Sequence, residues 1–238
     1  MTDLPDATLP ALHDATLDEL RLALAPRIAA NAGFDGWGDA ALGEAADAAG
    51  VDRDVARLAY PNGAVDMIDA WFQTVDARMA ESVPADRLAA AKIRDRIALL
   101  VEARLEIVAP DREALRRALA VLATPGNLTR AARLGWRTVD LIWRCAGDTA
   151  TDYNHYTKRA ILMGVYAATV SVFLNDDSEA FADARACLDR RIDGILRFEK
   201  AKAGMAKRAL YRPSLSRFVG RLRYPERLAG LTHTPSPA

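Results

Sequence analysis

The stretch Ala160-Ile161-Leu162-Met163-Gly164-Val165-Tyr166-Ala167-Ala168-Thr169-Val170-Ser171-Val172-Phe173-Leu174 is the longest run in the chain without a charge. Its 15 residues fall short of the roughly 20 that a membrane-crossing helix needs. A polar, doubly basic entry precedes it, Asp152-Tyr153-Asn154-His155-Tyr156-Thr157-Lys158-Arg159, and Asn175-Asp176-Asp177-Ser178 stops it. The pattern predicts a helix buried on all sides, which the rest of the chain has to wrap.

Composition agrees with a helical solution. Alanine, leucine and arginine dominate and β-branched alternation is scarce, so the 238 residues are read as all-α. Cys145 and Cys187 lie far apart among apolar helix residues. They are read as small packing residues in a reducing cytoplasm, and with the scattered His13, His155 and His233 they make no ligand set. No metal or cofactor is expected.

The chain divides into five parts. Residues 1–15 are short, acidic and proline-containing, and are read as disordered. Residues 16–62 hold three short helices: one from Thr16 to about Gly33, one from Trp37 to Ala49, and one from Asp52 to Tyr60, stopped by Pro61-Asn62-Gly63. Residues 63–204 carry longer amphipathic helices. The first has Ile68, Trp71, Phe72, Val75 and Met79 on one face. After Pro84 comes one with Ile93, Ile97, Leu100, Val101, Leu105 and Val108, ended by Pro110. Arg112 to Ala123 and Leu128 to Cys145 follow, then the uncharged run. A long helix capped at Asp176, Asp177 or Ser178 has Phe181, Ala184, Leu188 and Ile192 inward. Residues 205–230 form a basic amphipathic segment, and 231–238 a frayed end.

Zero net charge conceals an uneven distribution. From Leu17 to Trp71 ten acids face four arginines, whereas Lys200 to Ala238 carries nine basic residues and a single acid, Glu226. The front of the chain resembles the helix-turn-helix of TetR-type regulators, with Asp52–Tyr60 in the place of the recognition helix. Affinity for DNA comes largely from neutralising phosphates, so a segment this acidic argues against operator binding. A ligand-responsive transcription regulator is kept as the alternative reading. In the tail, Leu215, Phe218, Val219 and Leu222 form an apolar stripe flanked by Arg217 and Arg221. That is the pattern of a helix lying on an anionic membrane surface.

Signatures of catalysis are missing: there is no glycine-rich phosphate loop, Glu-x-x-His pair, Cys-x-x-Cys or nucleophile elbow. Glu102 and Glu106, alternating with Arg104, are read as a solvated helix face. The chemistry lies in the uncharged helix. Met163, Tyr166, Val170 and Phe173 are bulky and adaptable, while Gly164, Ala167 and Ala168 leave room, a combination suited to an elongated apolar ligand. Lys158 and Arg159 sit in the helix's first turns, where the dipole disfavours cations. Either they meet an anion such as a lipid phosphate, or they pair with acids of a neighbouring helix.

From Trp143-Arg144-Cys145-Ala146-Gly147-Asp148 through Asp152–Leu162, Val165-Tyr166, Asp176-Asp177-Ser178, Phe181, Leu188 and Arg191, the chain resembles the ubiquinone (coenzyme Q) biosynthesis accessory family. This is a lipid-binding family with a TetR-like fold. The resemblance implies a protein that is not an enzyme. It would bind isoprenoid quinone intermediates and phospholipid, with Arg159 at the head group. It would contact the di-iron demethoxyubiquinone hydroxylase through Asp152, Tyr153, Asn154, His155 and Tyr156, with histidine at 155 where eukaryotic relatives carry tryptophan. It also implies a membrane-associating terminal helix and a homodimer. With no targeting leader in Met1–Pro10, the expected place is a bacterial cytoplasm, on the inner membrane.

Overall fold

The computed structural model describes residues 15–148 and 153–194, and among these every regular element is helical. The described residues up to Ile192 form one compact unit. Asp152 and the expected anchor residues Leu215, Arg217, Phe218, Val219, Arg221 and Leu222 lie outside the described residues.

Helix α1, Leu17–Asp35, begins with a capping box. Thr16 Oγ1 accepts from the Glu19 N–H, and the Glu19 carboxylate accepts from the Thr16 N–H at 2.9 Å. Its inward face, Leu20, Leu24, Ile28 and Ala32, packs against α2 (Asp39–Ala48), α4 (Ala64–Ser82) and α7 (Arg112–Leu122). Between α2 and α4 lies α3, Arg53–Leu58, whose first N–H groups are capped by the Asp52 carboxylate. Trp37 stacks on Trp71 of α4 at 5.3 Å and donates its indole N–H to the Ala114 carbonyl of α7 at 2.9 Å. The acidic three-helix front therefore shares the core of the helices that follow.

Helix α4 is the spine. Met67, Ile68, Trp71, Phe72, Val75 and Met79 are buried along it, against α1, α6, α7 and α8. A short α5, Ala85–Ala90, interrupts the amphipathic segment after Pro84 and buries none of its side chains, which explains why apolar spacing misses it. Then come α6 (Ile93–Val108), a 3₁₀ turn over Ala109–Asp111 containing Pro110, and α7. Helix α8 spans Leu128–Cys145, with the boundaries that the sequence predicts. It ends at Gly147, whose φ of +89° suits glycine. An added Cβ would meet the guanidinium of Arg96 at 3.1 Å.

The uncharged run forms α9, Tyr153–Phe173. It is not buried on all sides. Leu162, Val165, Thr169, Val170 and Phe173 are covered, but Ala160, Gly164, Ala167 and Ser171 are exposed along one stripe at helical spacing. Small side chains carry little apolar surface, so this stripe tolerates solvent without the charges that normally mark an outer face.

The following helix, α10, begins at 182, not at Asp176. Ala180 and Phe181 have φ of 52° and 55° and break the path, so Phe181 stacks on Phe173 at 4.8 Å instead of joining a long inner face. Asp176 does act as a cap, accepting from the Ala184 N–H at 2.7 Å and from the Ser178 N–H at 2.9 Å.

Candidate functional site

Five helices leave a gap. Helices α4, α6, α7, α8 and α9 line a partly open cavity of about 470 Å³, with walls that include Leu115, Leu119, Leu122, Leu134, Met163 and Val170. Two features keep it open. Gly135 of α8 faces Met163 of α9, leaving 3.8 Å between a notional Cβ and the methionine methyl, and small residues (Ala131, Ala167, Ser171) replace bulk along both helices. Its size falls within the roughly 300–1,000 Å³ usual for small-molecule sites.

Three of the four cavity residues expected from the sequence, Met163, Tyr166 and Val170, line this space. Phe173 does not. It is fully buried against Phe181, because it lies about 100° around the helix from Leu174, which continues the wall.

The floor of the cavity is polar, and spacing read as solvated concealed it. Arg104 is 1% exposed. Its Nε donates to Asp76 Oδ1 at 2.9 Å and its Nη1 to the Tyr166 hydroxyl at 2.5 Å. Its guanidinium carbon stands 5.2 Å from the Phe72 ring centre and 5.3 Å from that of Tyr166. Thr138 Oγ1 lies 3.1–3.2 Å from both Asp76 oxygens. Burial opposes the charge of Arg104, but Tyr166 and Asp76 outweigh it and hold the guanidinium pKa above its ordinary value. Burial likewise pushes the Tyr166 phenol up, so it stays protonated at neutral pH. The sequence held a usable signal: Arg104 falls three residues after Val101 and four before Val108, on the apolar stripe of α6. Glu102 and Glu106 share the other side.

Arg159 is not a mouth cation. It is 2% exposed and does not line the cavity. Its Nε donates to Asp140 of α8 at 2.6 Å, and its Nη1 donates to Asp148 at 3.2 Å and to the His155 carbonyl at 3.1 Å. Lys158 reaches Asp148 at 2.7 Å and lies over the Trp143 ring at 5.4 Å. The two basic residues thus join α9 to α8 through ion pairs, which offset their unfavourable position in the dipole.

On the outside of the same joint, Tyr156 is 62% exposed and packs 6.1 Å from Trp136 and 5.1 Å from His155. Two aromatic rings and a histidine on one rigid helix pair make a surface of the kind that protein partners bury. Of the other expected contact residues, Tyr153 and Asn154 open α9, and their side chains lie outside the described residues.

The helix-turn-helix face offers little to a phosphate backbone. Both cations of α3 are already engaged, Arg53 with Asp47 at 2.5 Å and Arg57 with Asp54 at 2.5 Å. Among the described residues no group of three or more His, Cys, Asp and Glu side chains is arranged for a metal ion. No described helix is long and apolar enough to cross a membrane.

Comparison with known proteins places this geometry. A family model described as COQ9 matches residues 128–199, from the start of α8 onward. The chain is 33% identical over 168 residues to the mitochondrial ubiquinone biosynthesis protein COQ9 of Rattus norvegicus, an alignment covering 68% of this chain and 54% of the rat protein. With the Xenopus tropicalis counterpart it is 42% identical over 92 residues, 39% of this chain and 29% of that protein. The chain spans about half the length of the rat and Bos taurus relatives it matches. Among solved structures, a TetR transcriptional regulator from Nitrosomonas europaea superposes with a TM-score of 0.60 at 23% identity, over 73% of this chain and 96% of that one. The last likeness establishes an all-α, TetR-like fold. The matched family segment contains α8 and α9, the helices that form one wall of the cavity, and over residues 128–199 the chain carries the segment that the COQ9 family model describes.

Proposed function

We propose that this chain is an accessory lipid-binding protein of ubiquinone biosynthesis. It holds an isoprenoid quinone intermediate or a phospholipid acyl chain in the cavity between α4, α6, α7, α8 and α9 and presents it to the demethoxyubiquinone hydroxylase. The observation that carries the reading is the cavity itself: an apolar space of about 470 Å³ in a chain that carries the COQ9 family segment. The chain works as a carrier and leaves the chemistry to its partner. Tyr156, His155 and Trp136 supply the exposed surface for that partner. Arg159 serves the carrier by fixing α9 to α8. The basic tail brings the protein to the membrane, where its lipid resides, and two copies associate as a homodimer.

The test is direct. Organic extraction of the purified full chain, followed by mass spectrometry, is expected to release an isoprenoid quinone or a phospholipid. Ala131→Phe, which places a ring in the cavity, is expected to reduce the yield several-fold. Recovery of no lipid from the wild type would refute the reading. Deleting residues 213–238 is expected to abolish binding to anionic vesicles while leaving the helical signal of the body unchanged.

A transcription regulator of the same fold would need free cations on α3, and both of its arginines are tied to acids. Salt-sensitive binding to promoter DNA would overturn this exclusion.

A further inference from the structure

The cavity has two unlike ends. Along α8 its wall runs from Leu128 to Thr138, roughly 15 Å of helix, and α9 passes it in the opposite sense, from Leu174 to Met163. At one end Leu128 is 55% exposed, and Ala123 and Ser171 are exposed beside it. At the other, Arg104 is 1% exposed, with Asp76 and Thr138 buried around it. The space therefore opens toward the turn between α7 and α8 and along the exposed Ala167 and Ser171 of α9, and its floor is the Arg104 cluster.

The floor is short of acceptors. Arg104 carries five N–H groups. Nε donates to Asp76 and Nη1 to Tyr166, while Nη2 has no hydrogen-bond partner among the described residues. The Tyr166 hydroxyl accepts from Arg104, and its own proton has no acceptor among the described residues. Thr138 is occupied with Asp76. Arg104 and Tyr166 both line an otherwise apolar cavity, and a donor left without a partner in such surroundings is costly. The complement of two donors is an acceptor without a proton to give. Arg104 is paired with Asp76 at 2.9 Å, whose other oxygen Arg137 approaches at 3.8 Å while also holding Asp69, so a neutral acceptor leaves this network undisturbed.

We propose that Arg104 and Tyr166 recognise a carbonyl oxygen on the head of the bound lipid, so that the ligand enters head first and its hydrocarbon tail leads back toward the α7–α8 turn. This rests on the lipid-carrier reading and sharpens it: the site selects a quinone or ester carbonyl and discriminates against a plain hydrocarbon of the same shape. Tyr166 and Arg104 act here as specificity-determining residues. A phenol held protonated by burial keeps its donor throughout the neutral range.

The experiment uses the full chain and two probes, a benzoquinone bearing a medium-length alkyl tail and the alkylbenzene with the same tail. Each displaces an environment-sensitive naphthalene dye from the protein. Wild type is expected to prefer the quinone by about tenfold or more, the size of a hydrogen bond to a charged group. Tyr166→Phe keeps the ring and removes one donor. It is expected to lose about five-fold of that preference with alkylbenzene affinity unchanged, and thermal unfolding shows that the variant is folded. In the infrared, the bound quinone carbonyl stretch is expected to shift to lower frequency in wild type and to move back toward its free position in Tyr166→Phe. Equal affinity of wild type for both probes, or a preference untouched by Tyr166→Phe, overturns the carbonyl assignment while leaving the lipid cavity standing. Binding of neither probe removes the lipid cavity and this assignment together.

Discussion

Replacing Arg159 by leucine is expected to loosen the joint between α8 and α9, not to strip a head group from the cavity. Arg159 is 2% exposed and makes charge-assisted contacts to Asp140 at 2.6 Å and Asp148 at 3.2 Å. Breaking a buried pair by removing one partner costs about 3–5 kcal/mol, because a buried charge is left behind. Here both acids retain a second cation: Asp140 keeps Arg144 at 3.1 Å and Asp148 keeps Lys158 at 2.7 Å. Arg144 and Lys158 are substantially exposed, so their compensation is partly screened. A loss of about 2–4 kcal/mol follows, which in a domain of this size lowers Tm by roughly 5–15 °C. Arg159→Lys is expected to recover only part of it, since one ammonium cannot span both carboxylates as the planar guanidinium does. The assay is thermal unfolding by circular dichroism, with lipid content measured on the same preparations below the transition. A variant with unchanged Tm and lost lipid would refute the structural role and return Arg159 to the head group.

Gly135→Ala is expected to stabilise the chain by about 0.5–1 kcal/mol, since an added Cβ meets Met163 at an ordinary 3.8 Å and alanine favours the helix; urea unfolding reads it, and destabilisation would mean that the gap beside Gly135 is already filled. Burial alone would raise the carboxyl of Asp176, but hydrogen bonds from Ser178 and from the Ala184 N–H outweigh it and hold the pKa below the ordinary carboxylate value. Its contribution is therefore present above about pH 4 and lost as pH falls through the folded value. The stability gap between wild type and Asp176→Asn should close in acid, and a gap independent of pH would exclude the ionised cap. Replacing the floor pair together, Asp76→Leu with Arg104→Met, is expected to leave stability within a few kcal/mol of wild type or to raise it, as apolar replacements of buried ion pairs often do. Arg104→Met alone should cost more, since it leaves Asp76 with only Arg137 at 3.8 Å, and the opposite order, followed by denaturant unfolding, would contradict the geometry.

Much of the fold is written in local patterns. The capping box at Thr16 and Glu19, the stop at Pro61-Asn62-Gly63 and the turn at Pro125-Gly126-Asn127 are each a short-range contest between helix and alternative, so residue order alone resolves them. The errors have one origin. Absence of charge in Ala160–Leu174 was equated with burial, yet an outer stripe can be built from Ala160, Gly164, Ala167 and Ser171, which need no charge because they have little to hide. Glu102 and Glu106 mark the solvated side of α6, and Arg104, which alternates with them, belongs by helical phase with Val101 and Val108 instead. Phe173 was assigned to the cavity on size, where phase sends it to Phe181. In each case the residue type outvoted the angle, and the angle was the better guide.

What no phase could supply is the meeting of Asp76, Arg104, Thr138 and Tyr166, which come from four helices and span ninety residues of sequence. Their convergence bears on function because it is a poor way to build stability. A buried Arg–Asp pair gains little over well-packed apolar side chains, since desolvation consumes most of the attraction. A cavity meant to hold hydrocarbon alone would be served better by methionine and phenylalanine at 104 and 166. The arrangement observed instead fixes a guanidinium by Asp76, flanks it with the rings of Phe72 and Tyr166, and leaves Nη2 and a phenolic proton without partners on two residues that line the cavity. The same low-polarity surroundings that make those two donors costly when empty make them selective when filled. A carbonyl placed there satisfies groups that no hydrocarbon can reach. Basic residues therefore divide by role within this chain: Arg53 and Arg57 are spent on neighbouring acids, Lys158 and Arg159 hold α9 to α8, and Arg104 alone among these borders the cavity.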